Sequence, residues 1–128
     1  MVSFYKNPEK RMIEPQLFSK IAEDIAEKVH SGGGRDSNKR SQLRKFFDEV
    51  IRLNSMAKSS PDDWDNILPY VNMLIAKVVY AEGRKKVTGE FVDLIKNCIK
   101  QVKSPDDLDV FANFFEAFMG FYRKYNEN

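Results

Sequence analysis

Apolar residues recur along this chain every three or four positions, and no stretch of convincing length alternates in twos, so the pattern predicts helices throughout. Leu17, Ile21, Ile25 and Val29 are spaced by four. With Pro15 in the first turn they predict a helix over 15–30 that Gly32-Gly33-Gly34 ends. Leu43, Phe46, Phe47, Val50 and Ile51 mark the inner face of a second helix that begins near Asn38 or Ser41 and fades over Ser55 to Ser60. Ser60-Pro61-Asp62-Asp63 is a start signal, with a capping hydroxyl, a proline at the first helical position and acids facing the positive end of the dipole. Trp64, Ile67 and Leu68 follow, and Pro69, which lacks a donor and crowds the preceding turn, predicts a break or kink. A longer helix on Val71, Leu74, Ile75, Val78 and Val79 should come next and stop near Gly83. Another over 89–103 buries Phe91, Leu94, Ile95, Cys98, Ile99 and Val102, and Ser104-Pro105-Asp106-Asp107 opens the last.

The expected fold class is all-α, a single compact bundle of five to six helices over 1–128, with 1–14 and 32–37 as candidate flexible segments. Phe46, Val50, Ile75, Ile95, Cys98, Phe111, Phe115 and Phe118 should share its core. The repeated Ser-Pro-Asp-Asp reads as a start signal used twice, because the residues after the two copies agree only in apolar spacing. The last helix has an unusually wide apolar arc: Phe111, Phe115, Phe118, Met119 and Tyr122 fill a core face, and Phe114, Phe121 and Tyr125 extend it. Either neighbouring helices wrap this helix or its far side packs on another subunit. On the second view Phe114, Phe121 and Tyr125 are subunit-interface candidates, and self-association is expected.

Composition removes several function classes. The 128 residues, 42% hydrophobic, suffice for one core without staples, and the single cysteine, Cys98, excludes an internal disulfide. Met1 to Arg11 lacks the apolar run of a leader, and the most apolar stretch, Leu68 to Ala81, is interrupted by Pro69, Asn72 and Lys77. A cytoplasmic protein with no membrane partner is therefore expected. His30 is the only histidine, so multi-histidine metal sites and a cysteine–histidine nucleophile pair have no material, and no metal or cofactor is expected. The carboxylates Glu23, Asp24 and Glu27 read as the solvated face of a helix. Gly32-Gly33-Gly34 lacks the Gly-Lys-Ser/Thr ending and the preceding strand of a phosphate-cradling loop.

Charge matters through its distribution. The net charge is only +2, from 21 Lys plus Arg against 19 Asp plus Glu, but acids collect in 62–65 and 106–109 and bases elsewhere. Lys39, Arg40, Arg44 and Lys45 crowd the first turns of the second helix, where the dipole disfavours cations and an external polyanion would offset the cost. Arg84, Lys85 and Lys86 follow a helix end, where cations are locally favoured. Lys96, Lys100 and Lys103 fall on one stripe whose mutual repulsion only Asp93 relieves. Lys45-Glu49 and Asp48-Arg52 have the spacing of self-compensating pairs. Long basic side chains also simply solvate helix edges, so charge alone leaves a phosphate partner and a bland surface both open.

Three segments carry a resemblance. Ser41-Gln42-Leu43-Arg44-Lys45-Phe46-Phe47, Tyr80-Ala81-Glu82-Gly83-Arg84, and Phe114-Phe115-Glu116-Ala117-Phe118 through Tyr122 resemble, in order, the small subunit of type III-A CRISPR effector complexes, the Csm complexes. The resemblance implies a small helical, non-catalytic protein present in several copies. It would pack along a filament with other effector-complex subunits and contact the backbone of the target RNA and guide RNA without sequence preference. It nominates Arg44, Lys45 and Arg84 for that contact, while Lys39, Arg40, Lys85, Lys86, Lys96, Lys100 and Lys103 join on charge alone. The rival readings are a helical protein–protein adaptor without nucleic-acid contact and a helix-turn-helix DNA binder. The latter is disfavoured because each helix carries a heavy apolar face.

Overall fold

A computed structural model describes residues 2–125. The chain forms a short hairpin, β1 (Tyr5–Asn7) and β2 (Met12–Ile13), then five α-helices: α1 (Ala22–Gly32), α2 (Arg40–Ser59), α3 (Trp64–Gly83), α4 (Gly89–Lys100) and α5 (Pro105–Tyr122). α5 lies against α1 and α2, and α3 bridges α2 and α4. The mostly helical class expected from periodicity is what the chain adopts.

The spine of the core is a row of aromatic rings along α5. Phe111 stacks on Phe115 at 5.8 Å, Phe115 meets Phe118 edge-on at 5.8 Å, and Phe118 stacks on Tyr122 at 5.5 Å. Phe91 of α4 reaches Phe115 and Phe118 from the side, and Phe46 of α2 packs on Phe91 at 5.7 Å. Offset and edge-to-face pairs of this kind add to the burial of large apolar areas, so one helix can anchor several neighbours. Of the expected core, only Ile75 is merely half-buried.

Several local expectations need correction. Residues 17–21 form a π-helical turn leading into α1, with Ile21 N–H donating to Gln16 O at 3.1 Å. The five-residue step rotates the inward face, so Leu17 is followed inside by Ala22, Ala26 and Val29, while Ile21 and Ile25 are half-buried. Pro69 does not break its helix: α3 is continuous from Trp64 to Gly83. The carbonyl that Pro69 leaves without a partner belongs to Asp65, and both residues are exposed, so the missing bond falls on the open side of the helix. α4 ends at Lys100, short of Lys103, and Ser104, preceding Pro105, is extended at φ −149°, ψ 165°, so the two helices do not join. The two Ser-Pro-Asp-Asp copies also differ: Ser104 Oγ accepts from Asp107 N–H at 3.2 Å as a true cap, whereas Ser60 opens a 3-10 turn with no side-chain cap bond.

The start of the chain, a candidate flexible segment, packs on α5 through Phe4 and the hairpin. Phe4 is fully buried, stacked on Phe111 at 6.2 Å and tilted against Phe114 at 6.5 Å. Phe114, nominated for a subunit interface, is therefore core, 1% exposed, because Phe4 covers the side of α5 that the helices leave open. The Gln101 amide closes the seam, accepting from Phe4 N–H and donating to Val2 O, each at 2.9 Å. Asp107 holds the hairpin: its carboxylate accepts from the Tyr5 hydroxyl, from Arg11 at 3.0 Å and from Lys103 N–H at 3.0 Å.

Burial alone would raise the Asp107 carboxyl, but the bonds from Tyr5, Lys103 N–H and Arg11 outweigh it and hold the group below the ordinary range. A carboxyl depressed in the folded state contributes stability above its unfolded pKa and loses it as pH falls through its folded pKa. The melting-temperature gap between wild type and Asp107→Asn should therefore be widest near neutrality and narrow in acid below the usual carboxylate range. A gap independent of pH would mean that the ionised form carries none of the anchorage.

Candidate nucleic-acid interface

The basic groups at the start of α2 and the end of α3 are brought together by Asn38. This residue is 2% exposed and sits in the left-handed region at φ 54°, which Asn tolerates better than most side chains. Its N–H donates to Lys86 O at 2.9 Å, and its carbonyl accepts from the buried Tyr122 hydroxyl. Its side-chain amide donates to Val29 O at 3.0 Å and Thr88 Oγ1 at 2.7 Å and accepts from Thr88 N–H at 2.9 Å. One residue thus ties α1, the α3–α4 turn and α5 to the first turn of α2. Burial pushes the Tyr122 phenol up to about 12, so it stays a donor at any physiological pH.

The α3 C-terminus is shaped by a second left-handed residue. Lys86 N–H bonds Ala81 O and Lys85 N–H bonds Glu82 O, both at 2.9 Å, with Lys85 at φ 61°. These paired bonds make a Schellman cap in which lysine occupies the place glycine usually takes. Gly83 is the last helical residue, but the αL position falls two residues later.

Between α2 and α3 runs a groove of about 740 Å³. Lys45, Arg84 and Lys86 line it, so the structure gathers these three nominated residues from two separate segments. Lys77, Glu49, Gln42, Met73 and Tyr80 line it as well. The pairing expected along α2 is exchanged. Glu49 takes a bidentate contact from Arg52, at 2.8 and 3.0 Å, and Lys77 at 3.5 Å, and the Arg52 bond chiefly holds its carboxyl low. Asp48 pairs with Arg44 at 3.6 Å. Lys45, Arg84 and Lys86 form no salt bridge among the described residues, whereas Arg44 is engaged and does not line the groove.

The other candidates lie elsewhere. Lys39, half-buried, is the N-terminal cap residue of α2. Arg40 is half-buried too, and its Nε has no partner among the described residues. Lys85 is exposed on the cap. Lys96 and Lys100 are exposed on α4, but Lys103 lies beyond its end, where its carbonyl accepts from Trp64 Nε1 at 3.1 Å. The stripe is therefore not a single helical row. Lys100 and Lys103 border a separate depression with Tyr5, Arg11 and Asp107. Of the remaining interface candidates, Phe121 is half-buried against the core, and Tyr125 stacks on His30 at 4.3 Å.

Sequence reasoning passed over Tyr80 and Lys77 as groove residues. Tyr80 entered only as part of a motif and Lys77 only as an interruption of an apolar run; their helical spacing from Met73 was the available signal. For other chemistry there is little material. Among the described residues no His, Cys, Asp and Glu cluster could hold a metal ion, and Cys98 is fully buried with its thiol pushed well above the ordinary range. No helix among them is long and apolar enough to cross a membrane.

A model of the Csm2 Type III-A family matches residues 12–128, from β2 through every helix just described. The chain belongs to that family. It is thus a small subunit of a type III-A CRISPR effector complex, in a family whose members are structural. Searches of curated proteins and of solved structures gave no match. The family match takes in the groove in full and starts after β1, so Phe4, which covers Phe114, precedes it.

The Asn38 junction can be tested directly. Asn38→Gly keeps the backbone conformation and loses the amide bonds, whereas Asn38→Ala loses both. Chemical denaturation should find both destabilised, with alanine worse than glycine by about 1 kcal/mol, the cost of a β-carbon in the left-handed region. Equal losses would mean that φ at this position carries no strain.

Proposed function

We propose that this subunit holds RNA by its backbone, without reading sequence, through the α2–α3 groove, and that it performs no catalysis of its own. The carrying observation is that Lys45, Arg84 and Lys86 converge on one groove with no carboxylate paired to any of them among the described residues. Unpaired cations held close together repel one another, and a polyanion relieves that repulsion while releasing its own counterions. Lys85, exposed on the cap between Arg84 and Lys86, adds a further positive charge near that end of α3. Base pairing to the guide would supply sequence, and the protein would supply charge and spacing. Target and guide RNA backbones, neighbouring effector subunits and further copies of this chain are the proposed partners, in the cytoplasm.

Contacts with those subunits would use apolar side chains exposed outside the groove, such as Met12 at 52% and Phe18 at 38%, with Phe121 and Tyr125 contributing their open edges. These same exposed groups are what the adaptor alternative would rely on, with no RNA involved. Salt dependence separates the two. On single-stranded target RNA, neutralising Lys45 and Arg84 together should flatten the slope of log K against log salt by about 1.4, since each phosphate that a cation neutralises contributes about 0.7. The weakening should be similar for unrelated sequences, because phosphate contacts position without specifying. An unchanged slope and affinity in an intact assembly would favour the adaptor.

Purified protein should also leave RNA and DNA uncut with magnesium or manganese. Cleavage that survives stringent purification and disappears on mutating one of this chain's carboxylates would overturn the non-catalytic reading.

A further inference from the structure

We infer that the groove seats an unpaired RNA base on Tyr80, between the cations that hold the neighbouring phosphates. This rests on the RNA reading above and adds the kind of RNA that the site prefers. Tyr80 is 67% exposed, the most open of the large apolar side chains among the described residues, and Met73, 45% exposed, lines the same groove. Leu74, Ala76 and Ala81 complete an apolar floor.

A surface that touched only phosphates would need no such floor, and leaving a tyrosine and a methionine in water is unfavourable. In a continuous RNA helix the faces of the bases are covered by their neighbours, so nothing there fits an apolar, aromatic floor. An unpaired base offers one flat face to the ring, in a contact that tolerates any base because each has a π-face. Arg84 lies 5.9 Å from the Tyr80 ring centroid, holding the ring from one side while its charge remains available to a phosphate. Lys45 and Lys86 line the same groove, where phosphates flanking the base would fall. Gln42 also lines it and offers both a donor and an acceptor to a base edge. An acidic protein segment would satisfy the cations, but it would leave the exposed ring face without a stacking partner.

The test uses two probes with the full chain at low salt: a uridine-rich 12-nucleotide RNA carrying one central 2-aminopurine, and the same strand in a blunt, fully paired duplex. Wild type should bind the single strand more tightly than the duplex and quench the 2-aminopurine. Tyr80→Leu keeps an apolar side chain at an exposed site, so the fold is retained. It should lose about fivefold or more in affinity for the single strand, the contribution of one stacked base, and lose the quenching, while duplex binding stays unchanged. Tyr80→Phe should restore both properties. Arg84→Gln should weaken binding to both probes. If Tyr80→Leu binds the single strand like wild type while Arg84→Gln is impaired, the base seat is wrong and the backbone reading stands. Equal losses on both probes for Tyr80→Leu would also remove the base seat, reducing Tyr80 to a support for Arg84. If neither variant affects either probe, the RNA reading of the groove fails with it.

Discussion

Asn38 is one side chain asked to end a loop, start a helix and bridge two other helices, and it does so only because its backbone turns left-handed. From that conformation its N–H reaches Lys86 and its carbonyl reaches Tyr122, while its amide engages Val29 and Thr88. A buried amide with every bond made is rigid; the same amide with a partner missing is strongly destabilising. The junction therefore acts as a single unit. It fixes where α2 begins relative to the end of α3, and so how Lys45 stands to Arg84 and Lys86.

The aromatic row of α5 plays the complementary part, since it fixes the far side of the same elements. Tyr122 closes both systems: its ring ends the stack begun at Phe111, and its hydroxyl bonds Asn38. The Tyr122 phenol therefore joins the aromatic core to the Asn38 junction, alongside Phe46 and Leu74, which belong to the core and line the groove directly. The Asp107 cluster does a similar service at the opposite end of α5, where it holds the hairpin that lays Phe4 over Phe111 and Phe114.

Helical periodicity made the elements legible, because a buried stripe leaves the same signature wherever a helix meets a core. It was blind to the π-helical turn at Leu17–Ile21, which shifts the inward face by one residue, and to Phe4, whose burial comes from a partner more than a hundred positions away in sequence. That blindness explains the misplacement of Phe114: a wide apolar arc has the same appearance whether a short leading segment or a second subunit covers it. Within the groove, the motif residues Lys45 and Arg84 were visible as charges. Which carboxylate each would meet was not, since i, i+3 and i, i+4 neighbours pair alike, and Lys45-Glu49 and Asp48-Arg52 fit the spacing as readily as the Arg44-Asp48 and Glu49-Arg52 pairs that form.

That exchange of partners shapes what the groove can do. Glu49 is only 22% exposed at its side chain, and a partly buried carboxylate favours the bidentate guanidinium of Arg52 over a single ammonium. Lys77, on the facing helix, leans on the same carboxylate at 3.5 Å. Lys45 is thereby left without that partner while Lys77 is engaged, so the cations free of any carboxylate lie at the α2 and α3 ends nearest the Asn38 junction rather than midway along the groove. A site with so few free cations gives modest affinity per subunit and a shallow salt slope, about 0.7 for each phosphate neutralised on a single strand. Several copies aligned on one strand would turn the later contacts into intramolecular ones and multiply the total without any new bond. On the proposed reading, weakness in the single chain is then useful, since a lone subunit does not hold stray RNA and only the assembled array grips.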